Sequence, residues 1–138
     1  MSLLGIDLGG TKVAFALFDR DGNMRVRETL ALDKRLGAEV GKLITVNAAI
    51  KISAAEGEGD PVEAIGISVP GISRRSTGTV WAPNIQGWDD YPLLKEISTV
   101  TGNIPVIIES DRSCYISGEI WKGNAKGCRD AIFLAVGT

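Results

Sequence analysis

These 138 residues contain no histidine. That excludes histidine triads and imidazole metal ligands, so any proton transfer has to use a carboxylate, lysine, tyrosine or cysteine. Cysteine is nearly as scarce. Cys114 and Cys128 are too few and too oddly spaced for a zinc site or a CxxC redox pair, and both read as reduced, structural thiols of a cytoplasmic protein. No unbroken apolar run exceeds six residues, against the roughly 20 that a membrane helix needs. No charged-then-apolar leader precedes Leu3. Formal net charge is −2 without a polybasic stretch, which argues against nucleic acid or an anionic membrane as partner. Internal repeats, low-complexity segments, a GxGxxG fingerprint and a Walker A loop are missing as well.

What is present is an ordinary globular composition, 44% apolar and 23% charged, in a chain long enough to bury a core of its own. Residues 3–8 (LLGIDL) and 13–19 (VAFALFD) read as two buried strands joined by a glycine turn. Asp19-Arg20-Asp21-Gly22 is a second hairpin turn. The mixed polarity of 23–31 suits an edge strand, Met24, Val26 and Glu28 alternating with Arg25, Arg27 and Thr29. From 37 to 56 the period becomes helical, carried by Val40, Leu43, Asn47, Ile50 and Ala54. A strand at 62–69 and a long loop at 72–90 with a short strand near 78–82 follow. A helix at 91–101 has Asp89-Asp90 as its cap and Pro92 in its first turn. Then come a strand at 104–109, a helix at 111–122 stopped by Gly123, and a strand at 131–136. Three hairpin strands followed by βα units predict an α/β fold, a mixed five-stranded sheet with helices on both faces.

Ligands of open α/β sheets bind at the carboxyl ends of strands, and three polar clusters fall there. In Asp7-Leu8-Gly9-Gly10-Thr11-Lys12 the glycines let backbone N–H groups approach a phosphate, while Thr11 and Lys12 add a hydroxyl and a cation. Asp7 would hold Mg²⁺ through water or position a terminal phosphate. Otherwise the stretch is a plain hairpin with a chance carboxylate. Around Pro70-Gly71 and Trp81-Ala82-Pro83-Asn84, the Asn84 amide offers donors and an acceptor to vicinal hydroxyls, and Trp81 and Trp88 read as packing residues. Asp111 opens a helix, where the positive end favours an ionised carboxylate; a simple N-cap is the competing reading. Arg74 and Arg75 read as a solvated loop face, with closure over an anion as the sharper alternative.

GIDLGGTK followed by VAFALFD resembles the first phosphate motif of the ROK family, which spans bacterial sugar kinases and sugar-responsive repressors and belongs to the actin, hexokinase and heat-shock ATPase fold group. The resemblance implies a ribonuclease H-like, actin-type ATPase domain over 1–128 and the first strand of a second domain over 129–138. It implies ATP and Mg²⁺ as cofactors, Asp7 as the metal residue through water, and Gly9, Gly10, Thr11 and Lys12 on the nucleotide phosphates, joined by Gly137 and Thr138 at the start of a second phosphate motif. Gly71, Asn84 and Ser110 would bind the sugar with Asp111, and Asp111 would be the catalytic base. Ser110 stands where the family usually has Asn, and a short hydroxyl cannot span two sugar hydroxyls. Glu119 matches a family glutamate and reads as structural. The family's structural zinc site would lie outside this chain. The expected function is the N-terminal portion of a glucokinase-like hexose kinase, cytoplasmic and homodimeric at full length, with this chain alone inactive. A ROK-type repressor and a non-catalytic sugar binder are the alternatives. Repressors usually carry a helix-turn-helix ahead of this domain, and the motif begins at residue 3, which counts against the first.

Overall fold

The computed structural model describes residues 1–134. β1 (Ser2–Leu8), β2 (Lys12–Phe18) and β3 (Met24–Ala31) form an antiparallel meander. Alternation along β1 and β2 sends Leu4, Ile6, Leu8, Val13, Phe15 and Leu17 into the core on one face. Gly5, Asp7, Ala14 and Ala16 take the other. Both faces of β3 are largely exposed, as its mixed polarity predicts.

After α1 (Ala38–Gly57) the chain enters β4 (Val62–Val69), which lies parallel to β1. A hairpin of β5 (Ile72–Arg74) and β6 (Thr79–Trp81) leads to α2 (Leu93–Thr101), β7 (Val106–Ser110) and α3 (Asp111–Lys122). β7 joins β4 in parallel, giving the strand order β3-β2-β1-β4-β7. This is the mixed five-stranded α/β sheet that the sequence predicts, in the ribonuclease H-like, actin-type ATPase arrangement. One face packs on α1 and α2: Val40, Ile44, Ala48 and Ile52 of α1 and Leu93 and Ile97 of α2 are buried against Ile65, Ile67, Val69 and Ile108. Each fully buried Val, Leu or Ile side chain among them contributes about 1.5–3 kcal/mol. α3 packs on β4 and β7 and buries no residue fully. None of the described helices is long and apolar enough to cross a membrane.

Three elements differ from expectation. The buried stripe of α1 is Val40, Ile44, Ala48, Ile52 and Ala55, and Ile50 is 54% exposed. Gly41 explains the rotation, since a Cβ there would come within 2.0 Å of the Tyr91 hydroxyl; the helix packs along its smallest side chain. The cap expected from Asp89-Asp90 does not form. The Asp90 carboxylate instead accepts from Thr79 Oγ1 (2.6 Å) and Arg74 Nη1 (2.9 Å), and α2 starts behind Pro92 with no side-chain cap. Residues 131–134 carry no regular structure, with Ile132 and Leu134 exposed. The rest of the strand expected over 131–136, together with Gly137 and Thr138, lies outside the described residues.

Candidate active site at the carboxyl edge of the sheet

The parallel strands β1, β4 and β7 end on one edge, and their register aligns Asp7 with Ser68 and Ser68 with Glu109. Adjacent strands lie about 4.8 Å apart, so these residues form a polar row on the face turned toward α3. A cleft of about 800 Å³ separates that face from the helix, lined by Asp7, Ser68, Glu109, Ser113, Cys114 and Trp121 among others. Asp7 is exposed within this row. Two contacts hold the far end of α3 down. Lys122 Nζ donates to the carbonyls of Asp21 (2.9 Å) and Gly22 (2.8 Å), and the Trp121 ring covers Gly22, whose φ of 74° fits the turn.

The Cys114 thiol reports on the electrostatics of the cleft. Burial pushes its pKa up, a hydrogen bond with Ser68 pulls it down, and the carboxylates of Glu109, Asp7 and Asp111 push it up further. Burial and the negative charge of three carboxylates therefore act together on one half-buried thiol, a setting that keeps it protonated and poorly nucleophilic. Among the described residues no group of three or more acidic or thiol side chains is arranged to hold a metal ion. A lone carboxylate such as Asp7 suits Mg²⁺, which keeps most of its waters and leans on substrate phosphates.

Beyond the last hairpin pair, Leu8 with Val13, the Gly9 N–H donates to the Lys12 carbonyl (2.8 Å) and Gly10 and Thr11 project into solvent. Lys12 is exposed and makes no ion pair among the described residues. A Cβ on Gly10 would lie 3.6 Å from the Asn84 Cβ, so the turn and the Asn84 loop are in contact. Asn84 is exposed and has no hydrogen-bond partner among the described residues. Its loop is nonetheless braced by hydrogen bonds and packing. Ala82 N–H donates to the Trp88 carbonyl (2.8 Å) and Ile85 N–H to Ala82 (3.0 Å). The Trp88 ring is buried, stacks on Tyr91 at 4.3 Å and donates through Nε1 to the Gly37 carbonyl (2.9 Å). Trp88 is thus a packing residue, and Trp81 is 37% exposed.

The helix cap belongs to Ser110. Its Oγ accepts from the Ser113 N–H at 3.3 Å and lies 3.0 Å from Ser113 Oγ. Asp111 is the first helical residue, its carboxylate accepting from the Arg112 N–H at 2.8 Å. Capping is therefore no longer a sufficient reason for Asp111. Gly71 acquires a packing reason, because a Cβ there would fall 2.0 Å from the Trp81 carbonyl oxygen. Glu119 closes the end of α3, its carboxylate accepting from the Asn124 N–H at 2.8 Å. Both loop arginines are paired, Arg74 with Asp90 (2.9 Å) and Arg75 Nε with Glu109 Oε1 (2.7 Å), in keeping with a loop face held by local charges.

Asp7, Ser110 and Asp111 thus share the edge at which the Gly9–Lys12 turn meets Asn84. Gly71 sits behind the hairpin against Trp81. Two features were illegible in the sequence. Glu109 joins the Asp7 row only through strand register, and the turn at 32–37 abuts Gly10, Thr11 and Asn84 although it reads as an ordinary polar loop.

The ROK family model matches residues 3–138. The glucokinase of Halalkalibacterium halodurans is 31% identical over 98% of this chain and 41% of its own length. The xylose repressor of Caldicellulosiruptor bescii is 31% identical over 99% of this chain and 34% of its own. Among solved structures, a ROK family glucokinase from Streptomyces griseus, in complex with glucose and AMPPNP, superposes with a TM-score of 0.71 at 32% identity, covering 92% of this chain and 38% of that one. The chain spans about two fifths of the length of the curated glucokinases it matches. A family match over nearly every residue, joined to this sheet order and this glycine turn, has one meaning: the chain belongs to the ROK family.

Proposed function

We propose that this chain is the N-terminal domain of an ATP-dependent hexose kinase, glucokinase-like, and that it supplies the base and part of both substrate sites. The observation that carries the reading is the convergence of an exposed glycine turn, an unpartnered Asn84 and a non-capping Asp111 on one sheet edge. Residues 1–128 form the domain, and 129–138 lead into a second one.

Phosphoryl transfer asks a protein mainly to position in-line oxygens and to stabilise charge. In this reading Gly9 and Gly10 let the phosphates approach the backbone, and Thr11 and Lys12 contact them. Asn84 and the backbone at Gly71 orient the sugar, with Ser110 contributing one hydroxyl. Asp111 takes the proton of the attacked hydroxyl, a step that contributes about 10²–10⁴-fold. Asp7 would hold Mg²⁺ through water, and that ion would supply charge neutralisation to the phosphates. Gly137 and Thr138 would add contacts from a second phosphate motif, and closure of two domains would keep water from the transferred group. The protein would act in the cytoplasm, as a homodimer at full length.

The test is ADP release with ATP and Mg²⁺ across hexoses and N-acetylhexosamines, on the protein carrying this chain at its natural length. Turnover on one sugar supports the reading and names the substrate. The likeness to a xylose repressor favours a second reading, a sugar-responsive regulator. Sugar binding without ADP release, coupled to a change in DNA affinity, would replace the first reading with it.

A further inference from the structure

We infer that Lys34 is a phosphate-contacting residue, held at the site by a left-handed turn that bridges the phosphate turn and the Asn84 loop. The inference rests on the kinase reading and adds to it a cation from outside the glycine motif.

Four observations converge on Lys34. Asp33 and Lys34 are the only described residues other than glycine with positive φ, 48° and 63° in succession. L residues seldom adopt this conformation, and Lys has no local hydrogen bond to favour it. The turn is tied at both ends to the site. Leu32 N–H donates to the Thr11 carbonyl (2.9 Å), Gly37 N–H donates to the Gln86 carbonyl (2.8 Å), and the Gly37 carbonyl receives the Trp88 indole. Arg35, which also lines the pocket, is turned back on the loop, its Nη1 reaching the carbonyls of Ala31 (3.3 Å) and Leu32 (3.1 Å) and the Asp33 carboxylate (3.2 Å). That leaves Lys34 without a hydrogen-bond or ion-pair partner among the described residues, lining a pocket of about 350 Å³ with Gly10, Thr11, Asn84 and Gln86.

The pocket is therefore lined by Gly10 and Thr11 of the phosphate turn, Asn84 of the neighbouring loop, and a lysine with no partner among the described residues. Its single carboxylate, on Asp33, is already paired with Arg35. An ammonium so placed fits a terminal phosphoryl group. Such a group arrives either as the terminal phosphate of the donor or as the phosphate of the sugar product.

Glycine accepts the left-handed backbone freely, so Lys34→Gly removes the cation without disturbing the turn. Calorimetric titration with AMPPNP-Mg and with glucose 6-phosphate, on the protein at its natural length as wild type, Lys34→Gly, Lys34→Asn and Lys34→Arg, separates the two sources. The expected result is a loss of about tenfold to a hundredfold for one of these probes in the Gly and Asn variants, the scale of a charge-assisted hydrogen bond. Lys34→Arg should retain most of the affinity, and the melting temperature should hold in all variants. Loss confined to AMPPNP assigns the contact to the donor, and loss confined to glucose 6-phosphate assigns it to the product. Equal affinities in all four proteins overturn the inference and leave the kinase reading standing. If wild type binds neither probe, both fall.

Discussion

Gly71 shows how a residue can satisfy a functional motif and a packing demand at once. The family pattern assigns its backbone to sugar, yet the fold alone forbids a side chain, because a Cβ would meet the Trp81 carbonyl at 2.0 Å. Backbone cannot yield as a flexible side chain can, so Gly71→Ala should destabilise by about 1–3 kcal/mol. Thermal melting checks this. An unchanged midpoint would mean that the hairpin shifts freely, and would return the glycine to a purely binding role. Asp7 is the opposite case. Its strand neighbours are buried while it is exposed on the open face, so nothing in the packing accounts for a carboxylate there.

At the scale of the element, α3 carries the sharpest test. Ser110 caps it and Asp111 does not. Ser110→Ala should cost about 1 kcal/mol and Ser110→Asn only a few tenths, since Asn caps as well as Ser. If Asn restores the second sugar contact that a serine cannot make, sugar affinity should rise in that variant at constant stability; calorimetry beside a melting curve reads both. Element positions were largely legible in the sequence, because strands β1, β2 and β4 are apolar runs bounded by glycine, proline or charge, and α3 lies between a strand end and Gly123. What was not legible depended on distant partners. The stripe of α1 turns on Tyr91 meeting Gly41, the pairing of β5 with the expected strand β6 on Thr79 and Arg74 sharing Asp90, and the Asp7–Ser68–Glu109 row on the register of three strands. The glycine turn and Asp111 were legible as candidates because each follows the end of an apolar strand, and Asn84 because its amide and the family resemblance single it out. Lys34 was hidden because a charged residue in a polar loop looks like solvated surface until the fold brings Thr11 and Gln86 to either side of it.

For the molecule as a whole, the two faces of the sheet are unequal. One is sealed by α1 and α2. The other faces a cleft lined by Ile107 and Trp121, both exposed, and apolar side chains grouped along an open cleft are a surface to which apolar molecules bind. The 138 residues expressed alone should therefore bind a hydrophobic dye, and, on the proposed two-domain arrangement, should release no ADP above background. A dye-silent chain with sugar-dependent turnover would overturn that picture. The claim on which the rest depends is that Asp111 is the base of a sugar phosphotransferase. The most direct measurement is sugar-dependent ADP release by the protein at its natural length, wild type against Asp111→Asn, with sugar binding measured on both by calorimetry. The account predicts that turnover falls at least about a hundredfold while both proteins still bind sugar. Equal turnover in the two would contradict it.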